Sequence, residues 1–125
     1  MIEMTTVVVK NLMMAQNQMK IFHWQTTSYA QHKAFGKIYD ELADLIDEFV
    51  EVCMGKHGRP QFDSEFVIEL FDSSAINNDE YITSVIEFLI SLDNVYNEKL
   101  DSDLLNLRDE MMALFSKLKY LLTLE

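Results

Sequence analysis

Four side chains in this sequence could together hold a metal ion: His23, His32, Asp47 and Glu51. Two imidazoles and two carboxylates are the ligands proteins use for iron or zinc where thiolates are absent. His23 precedes Trp24 near the end of one helical pattern, His32 opens the next, and Asp47 and Glu51 lie one turn apart towards its far end. His32 and Asp47 are fifteen residues apart on one helix, about 22 Å at 1.5 Å per residue. They cannot hold the same ion within one chain. A single site therefore requires the histidines of one subunit to meet the carboxylates of another, and metal binding and dimerisation become one expectation.

The elements that must position these residues are helical. Val8, Leu12, Ala15, Met19 and Phe22 repeat every three to four residues and predict a first helix over 6–26. Phe35, Ile38, Leu42, Leu45, Ile46, Phe49 and Cys53 predict a second over 29–54, with Gly55 as its stop. A connection over 56–76 follows, in which 64–71 reads as a short helix. Asn77 with Glu80 resembles a capping box for a third helix over 78–99. Asp101 or Ser102 then caps a fourth, running nearly to Glu125. No hairpin signal occurs. The expected fold is all-α: a single domain over 1–125 forming a four-helix bundle with a short helix in the crossover between helices two and three.

On a wheel of the second helix, His32, Gly36, Tyr39, Ala43, Asp47 and Glu51 share a face beside the apolar stripe. Gly36 and Ala43 are small enough for close helix approach. Two copies crossing antiparallel near residue 40 bring each His32 towards the other chain's Asp47 and Glu51, as a twofold interface does automatically. Taken singly, each residue also has a plain structural reading. An acidic pair at this spacing is an ordinary solvated face, His23 a hydrogen-bonded structural histidine, His32 a surface residue or cap, and Trp24 core. Cys53 reads as a buried small hydrophobe. His57 lies in the glycine-rich break and reads as solvated, and the methionines read as core filler.

Composition narrows the function classes. The chain has 125 residues, 21 acids against 10 bases, and a net charge of −11. Such a field repels nucleic acid and anionic membranes and favours cations. No basic arm is present. One cysteine excludes an internal disulfide and any multi-cysteine zinc module. No apolar run is long enough to span a membrane. The start lacks the basic region of a signal peptide, so the expected compartment is cytoplasmic.

The pattern resembles the Dps branch of the ferritin-like superfamily, the DNA-protection-during-starvation miniferritins. The His23-Trp24 pair, His32, and the Asp47 and Glu51 that follow match that family's motifs in type and spacing. Gly55, Gly58-Arg59-Pro60 and the run Asp101-Ser102-Asp103-Leu104-Leu105 resemble its turn after the second helix and the start of its last helix. The resemblance implies a homo-oligomer, at least a dimer and up to a dodecameric shell. Ferrous iron would bind at His23, His32, Asp47 and Glu51 between subunits, be oxidised there, typically with hydrogen peroxide, and be stored as ferric mineral. The activity implied is that of a ferroxidase. Zinc is a possible substitute, Glu51 could bridge two ions, and Trp24 is a nearby oxidisable side chain by analogy. The chain departs from the family in a shorter segment between the histidines, in Gly36 where the family often has a carboxylate, and in lacking a basic tail. The alternative expectation is a non-enzymatic oligomer or interaction protein of the same fold, with a structural metal or none.

Overall fold

The computed structural model describes residues 2–125, with side-chain surroundings from Met4 onward. The chain is all-helical. Its helices are α1 (Ile2–Gln25), α2 (Tyr29–His57), α3 (Asn78–Ser91) and α4 (Ser102–Leu121), with no strand among the described residues. α1 packs along α2, α2 along α4, and α3 along α4. The apolar stripes read from the sequence converge on one core, in which Met19, Phe35, Leu42, Phe49, Ile82, Leu104 and Phe115 are almost wholly excluded from water. Of the seven residues in the α2 stripe, Phe35, Ile38, Leu42, Ile46, Phe49 and Cys53 are buried, and Leu45 is half-buried against the core. Among the described residues, no helix is long and apolar enough to cross a membrane.

Several boundaries differ from those expected, each for a local reason. α2 runs through Gly55 and ends at Gly58, whose φ of 90° only glycine adopts readily and whose N–H reaches back to Met54 O. Gly55 has open space around it and stays helical. α3 stops at Ser91 and tightens into a 3-10 turn at Leu92–Asn94, instead of continuing to residue 99. At that stop Arg108 of α4 donates to Leu89 O and to Asp93, a buried guanidinium that engages the α3 end. Asn77 Oδ1 accepts from Glu80 N as the capping pattern required.

The short helix expected at 64–71 does not form. Residues 64–71 carry no regular secondary structure, and a 3-10 turn follows at Ser73–Ala75. Apolar spacing over so few residues does not separate helix from extended chain. What fixes the segment instead is α1, whose side chains supply the main-chain bonds a loop lacks. The fully buried Gln18 donates to Phe71 O and accepts from Phe71 N, each at 2.9 Å. Gln25 binds Asp72 and the N–H of Ser73, and the Thr6 hydroxyl binds both the N–H and the carbonyl of Gln61. Like Gln18, this threonine bonds both main-chain groups of one crossover residue, whereas Gln25 bridges the Asp72 carboxylate and the Ser73 N–H.

Candidate metal centre

The turn between α1 and α2 is short and closely bonded. Ser28 caps α2 by accepting from Gln31 N, and the Thr26 hydroxyl donates to Gln31 Oε1 at 2.7 Å. The turn folds the helices back on each other and sets His23 beside His32. Their rings stack with centroids 3.8 Å apart and planes inclined by 18°. Each ring bonds the other residue's main chain: His23 Nδ1 to His32 O at 2.5 Å, and His32 Nδ1 to His23 O at 2.9 Å. A carbonyl only accepts, so both Nδ1 atoms carry a proton, and in the neutral imidazoles both Nε2 atoms keep a lone pair. This is the tautomer that metal ligation needs, fixed by the kind of backbone bond that commonly orients a ligating histidine. A ligated ion lies in the imidazole plane, about 2.0–2.1 Å from the nitrogen. Two nearly parallel rings with centroids 3.8 Å apart do not direct both in-plane lone pairs at one point, so the pair as packed does not chelate a single ion.

Gly36 has a role that the sequence reading assigned elsewhere. It was expected to let a second subunit approach closely. Within the chain, a Cβ at this position would lie 2.8 Å from His23 Cε1 and 2.9 Å from His23 Nδ1. The missing side chain therefore makes room for the His23 ring, one turn beyond His32 on the same helix.

Trp24 is not core. It is 68% exposed, and Tyr29 is 72% exposed. Lys20 Nζ lies over the Tyr39 ring at 4.6 Å and near the Trp24 ring at 5.6 Å, and Lys33 Nζ lies near the Tyr29 ring at 5.5 Å. The histidine pair thus sits on an open aromatic and basic surface. His23 is half-buried and His32 exposed.

The carboxylates occupy the other end of the same helix. Asp47 and Glu51 are both exposed, beside Asp44, Glu48 and Val52 on one shallow shelf. The adjoining Asp47 raises the Glu51 pKa above the ordinary carboxylate range, through both its charge and a hydrogen bond between the two side chains. A bound cation would relieve that repulsion. α2 is unbroken between the two ends, so the separation of about 22 Å between His32 and Asp47 stands. Among the described residues, no three His, Cys, Asp or Glu side chains of one chain converge on a common point. The helix is also electrically lopsided. Its first half carries Lys33, Lys37, Asp40 and Glu41, and its second Asp44, Asp47, Glu48 and Glu51 with Lys56 near the end, so negative charge is concentrated in the second half.

Sequence reasoning missed a second polar cluster, at the C-terminal end of α2. His57, expected in solvent, is half-buried, with Nε2 3.2 Å from Asp101 Oδ1 and its ring stacked on Tyr96. Asp101 is itself buried and accepts from Asn97 N through its other oxygen, so it does not cap α4 with its side chain. The Tyr96 hydroxyl lies 3.6 Å from Cys53 Sγ. Burial raises the pKa of both the Cys53 thiol and the Tyr96 hydroxyl, leaving a protonated thiol as the inert small hydrophobe the sequence suggested. This cluster ties α2 to the start of α4. No local spacing could reveal it, because His57 and Asp101 meet only through the tertiary fold.

Comparison with known proteins gives a family. A model of a family of unknown function, DUF5856, matches residues 23–122, a span that begins at His23 and takes in all four candidate ligands. A curated relative is an uncharacterized 14.6 kDa protein encoded in the mobD-ri intergenic region of enterobacteria phage T4. It is 32% identical over 114 residues, covering 91% of this chain and 84% of the relative. No solved structure matches the chain.

Proposed function

We propose that this chain, which belongs to the DUF5856 family, is a ferritin-like, Dps-like four-helix bundle that binds and oxidises ferrous iron at sites shared between subunits. The observation that carries the reading is the reciprocal histidine pair, which leaves two oriented Nε2 lone pairs at one end of α2. The opposite end presents Asp47 and Glu51, two carboxylates held close enough to repel. Imidazole suits ferrous iron and carboxylate the ferric product. Antiparallel pairing of α2 about a twofold axis brings one chain's histidines to the other's carboxylates. His23 and His32 would then bind iron from one chain, and Asp47 and Glu51 from the other, with Glu51 able to bridge two ions. Iron enters as substrate, loses an electron to peroxide or oxygen, and leaves as mineral.

A mixing experiment tests the sharing directly. A chain with His23→Ala and His32→Ala, and a chain with Asp47→Ala and Glu51→Ala, are each expected to be inactive in ferrous oxidation. Co-assembled, they regain part of the activity, because one of the two sites in a mixed dimer draws every ligand from an unmutated position. A mixture that stays inactive despite confirmed mixed dimers defeats the shared site.

A second reading is an oligomer of the same fold with a structural metal, zinc included, and no oxidation. The Gly36 position favours it: the His23 ring fills the space where a further carboxylate would stand. Metal bound in stoichiometric amount, without ferrous oxidation by the wild-type chain, would select this reading.

A further inference from the structure

The seam between α2 and α4 carries charges that the metal reading does not use. Two adjoining hollows run along it. The first holds Lys37 of α2 and Lys117 of α4, and the second holds Asp44 of α2 and Glu110 of α4. Glu41 and Leu114 line both hollows and mark the middle. The seam is thus cationic at one end and anionic at the other. All four end charges are exposed, over leucines that are half-buried, Leu45, Leu114 and Leu121. The spacing is the same on both helices: Asp44 follows Lys37 by seven residues, and Lys117 follows Glu110 by seven. Seven residues are close to two turns, so each pair shares one side of its helix, about 10 Å apart. Lys37 meets Glu41 at 3.7 Å. Among the described residues, Asp44, Glu110 and Lys117 are in no ion pair.

We propose that this seam docks the same seam of a second copy, about a twofold axis that crosses both helices near Glu41 and Leu114. The charge pattern selects the occupant, because the seam is its own complement. A partner must set acids over Lys37 and Lys117 and cations over Asp44 and Glu110, on two parallel ridges at this spacing. The chain itself supplies that surface. A half-turn about the axis lays α2 on α2 and α4 on α4 with their ends exchanged. Each Lys37 then faces Asp44 of the other copy, and each Lys117 faces Glu110, so one pattern makes four ion pairs. Glu41 meets its own copy near the axis, with its charge held by Lys37 of the same chain. The seam carries two lysines against Glu41, Asp44 and Glu110, in a chain of 21 acids and 10 bases. Two copies meeting here therefore escape most of the repulsion between such acidic molecules. The leucines supply apolar area, and the charges set register and orientation. None of these residues is a candidate ligand, so the interface stands apart from the metal reading.

Charge reversal tests both the face and the occupant, with full-length chains in chelator-treated buffer. One variant carries Lys37→Glu with Lys117→Glu, which leaves only acids along the seam. The other carries Asp44→Lys with Glu110→Lys, which makes both ends cationic. Each variant should self-associate at least about tenfold more weakly than wild type in sedimentation equilibrium, because like charges then face each other. Mixed, the two should form a heterodimer in native mass spectrometry, in clear excess over either homodimer. The chain with all four substitutions inverts the pattern but keeps it self-complementary, and should regain the wild-type affinity. Net charge alone predicts something else: the second variant, being less acidic overall, would associate more tightly than wild type. That result would overturn the proposal. So would a wild-type chain that stays monomeric at every concentration, or a dimer that none of the reversals weakens, since the seam would then face solvent or a different protein.

Discussion

Replacing Gly36 by alanine should distinguish a helix that merely tolerates glycine from one that needs it. In an ordinary helix interior, Gly→Ala stabilises by about 1 kcal/mol, because glycine loses more backbone entropy on folding. Here the new Cβ falls 2.8 Å from His23 Cε1, a separation that forces the ring to move. The ring cannot move without disturbing the Nδ1 bond to His32 O and the stack on His32. The bond contributes about 1 kcal/mol, and the ring contact about 0.5–1.5 kcal/mol. Loss of both outweighs the helix gain, so Gly36→Ala should destabilise the wild-type chain by roughly 1 kcal/mol. In a His23→Ala background there is nothing to strike, and the same substitution should stabilise by about 1 kcal/mol. The two backgrounds thus differ by about 2 kcal/mol, the coupling expected of residues in direct contact. Urea unfolding of the four proteins at one fixed chain concentration reads this difference, since association would otherwise shift the apparent stability. Equal stabilisation by alanine in both backgrounds would show that the His23 ring is not seated on Gly36, and the oriented Nε2 argument would fall with it.

Three further outcomes follow from the same contacts. Asp47 raises the Glu51 pKa, so the folded chain keeps that proton to higher pH than the unfolded chain does. The associated stability is present below the ordinary glutamate range and is lost as pH rises through the raised folded value. Asp47→Asn should therefore raise the thermal midpoint at pH 7 in metal-free buffer and change it little near pH 3; a larger gain at pH 3 than at pH 7 would reverse the sign. Gln18→Ala leaves Phe71 N and O unpartnered beside a buried void and should destabilise by about 2–4 kcal/mol in chemical denaturation. Gln18→Glu should also destabilise, because a carboxylate cannot donate to Phe71 O. A gel shift at about 150 mM salt, without bridging divalent metal, should show no retarded DNA, because the chain's charge gives little counterion release.

The helices were legible because their apolar positions recur over many turns, and long periodic stretches average out local ambiguity. The core face of α2 from Phe35 to Cys53 is the clearest case. Residues 64–71 were misread because a few apolar residues in a row fit helix and strand alike. Their state is decided by Thr6, Gln18 and Gln25, more than forty residues away in the chain. Gly55 and Gly58 look equivalent in sequence, yet only Gly58 takes the positive φ that ends the helix. The candidate ligands were identified by type and spacing, but the stacking of His23 on His32 and the space left by Gly36 are tertiary facts. His57 was placed in solvent because its partner Asp101 lies 44 residues on, beyond any local pattern.

The unequal halves of α2 also bear on how fast two copies could meet. Lys33 and Lys37 near its start and the carboxylates from Asp44 to Glu51 follow the axial dipole of the peptide groups, positive at the N-terminus and negative at the C-terminus, while Lys56 in the last turn opposes it, so the reinforcement is partial. A second copy approaching this face meets a field that turns it before contact, with its own positive end drawn to the carboxylates. Two such chains would therefore arrive already oriented head to tail, against a net repulsion set by their overall charge of −11. Those two effects act on the encounter rate in opposite senses: screening weakens the long-range repulsion and the orienting torque together, with the repulsion, which reaches further, the first to fade. The encounter rate should then pass through a maximum at intermediate ionic strength, a kinetic signature of an acidic protein whose contact face carries its own polarity.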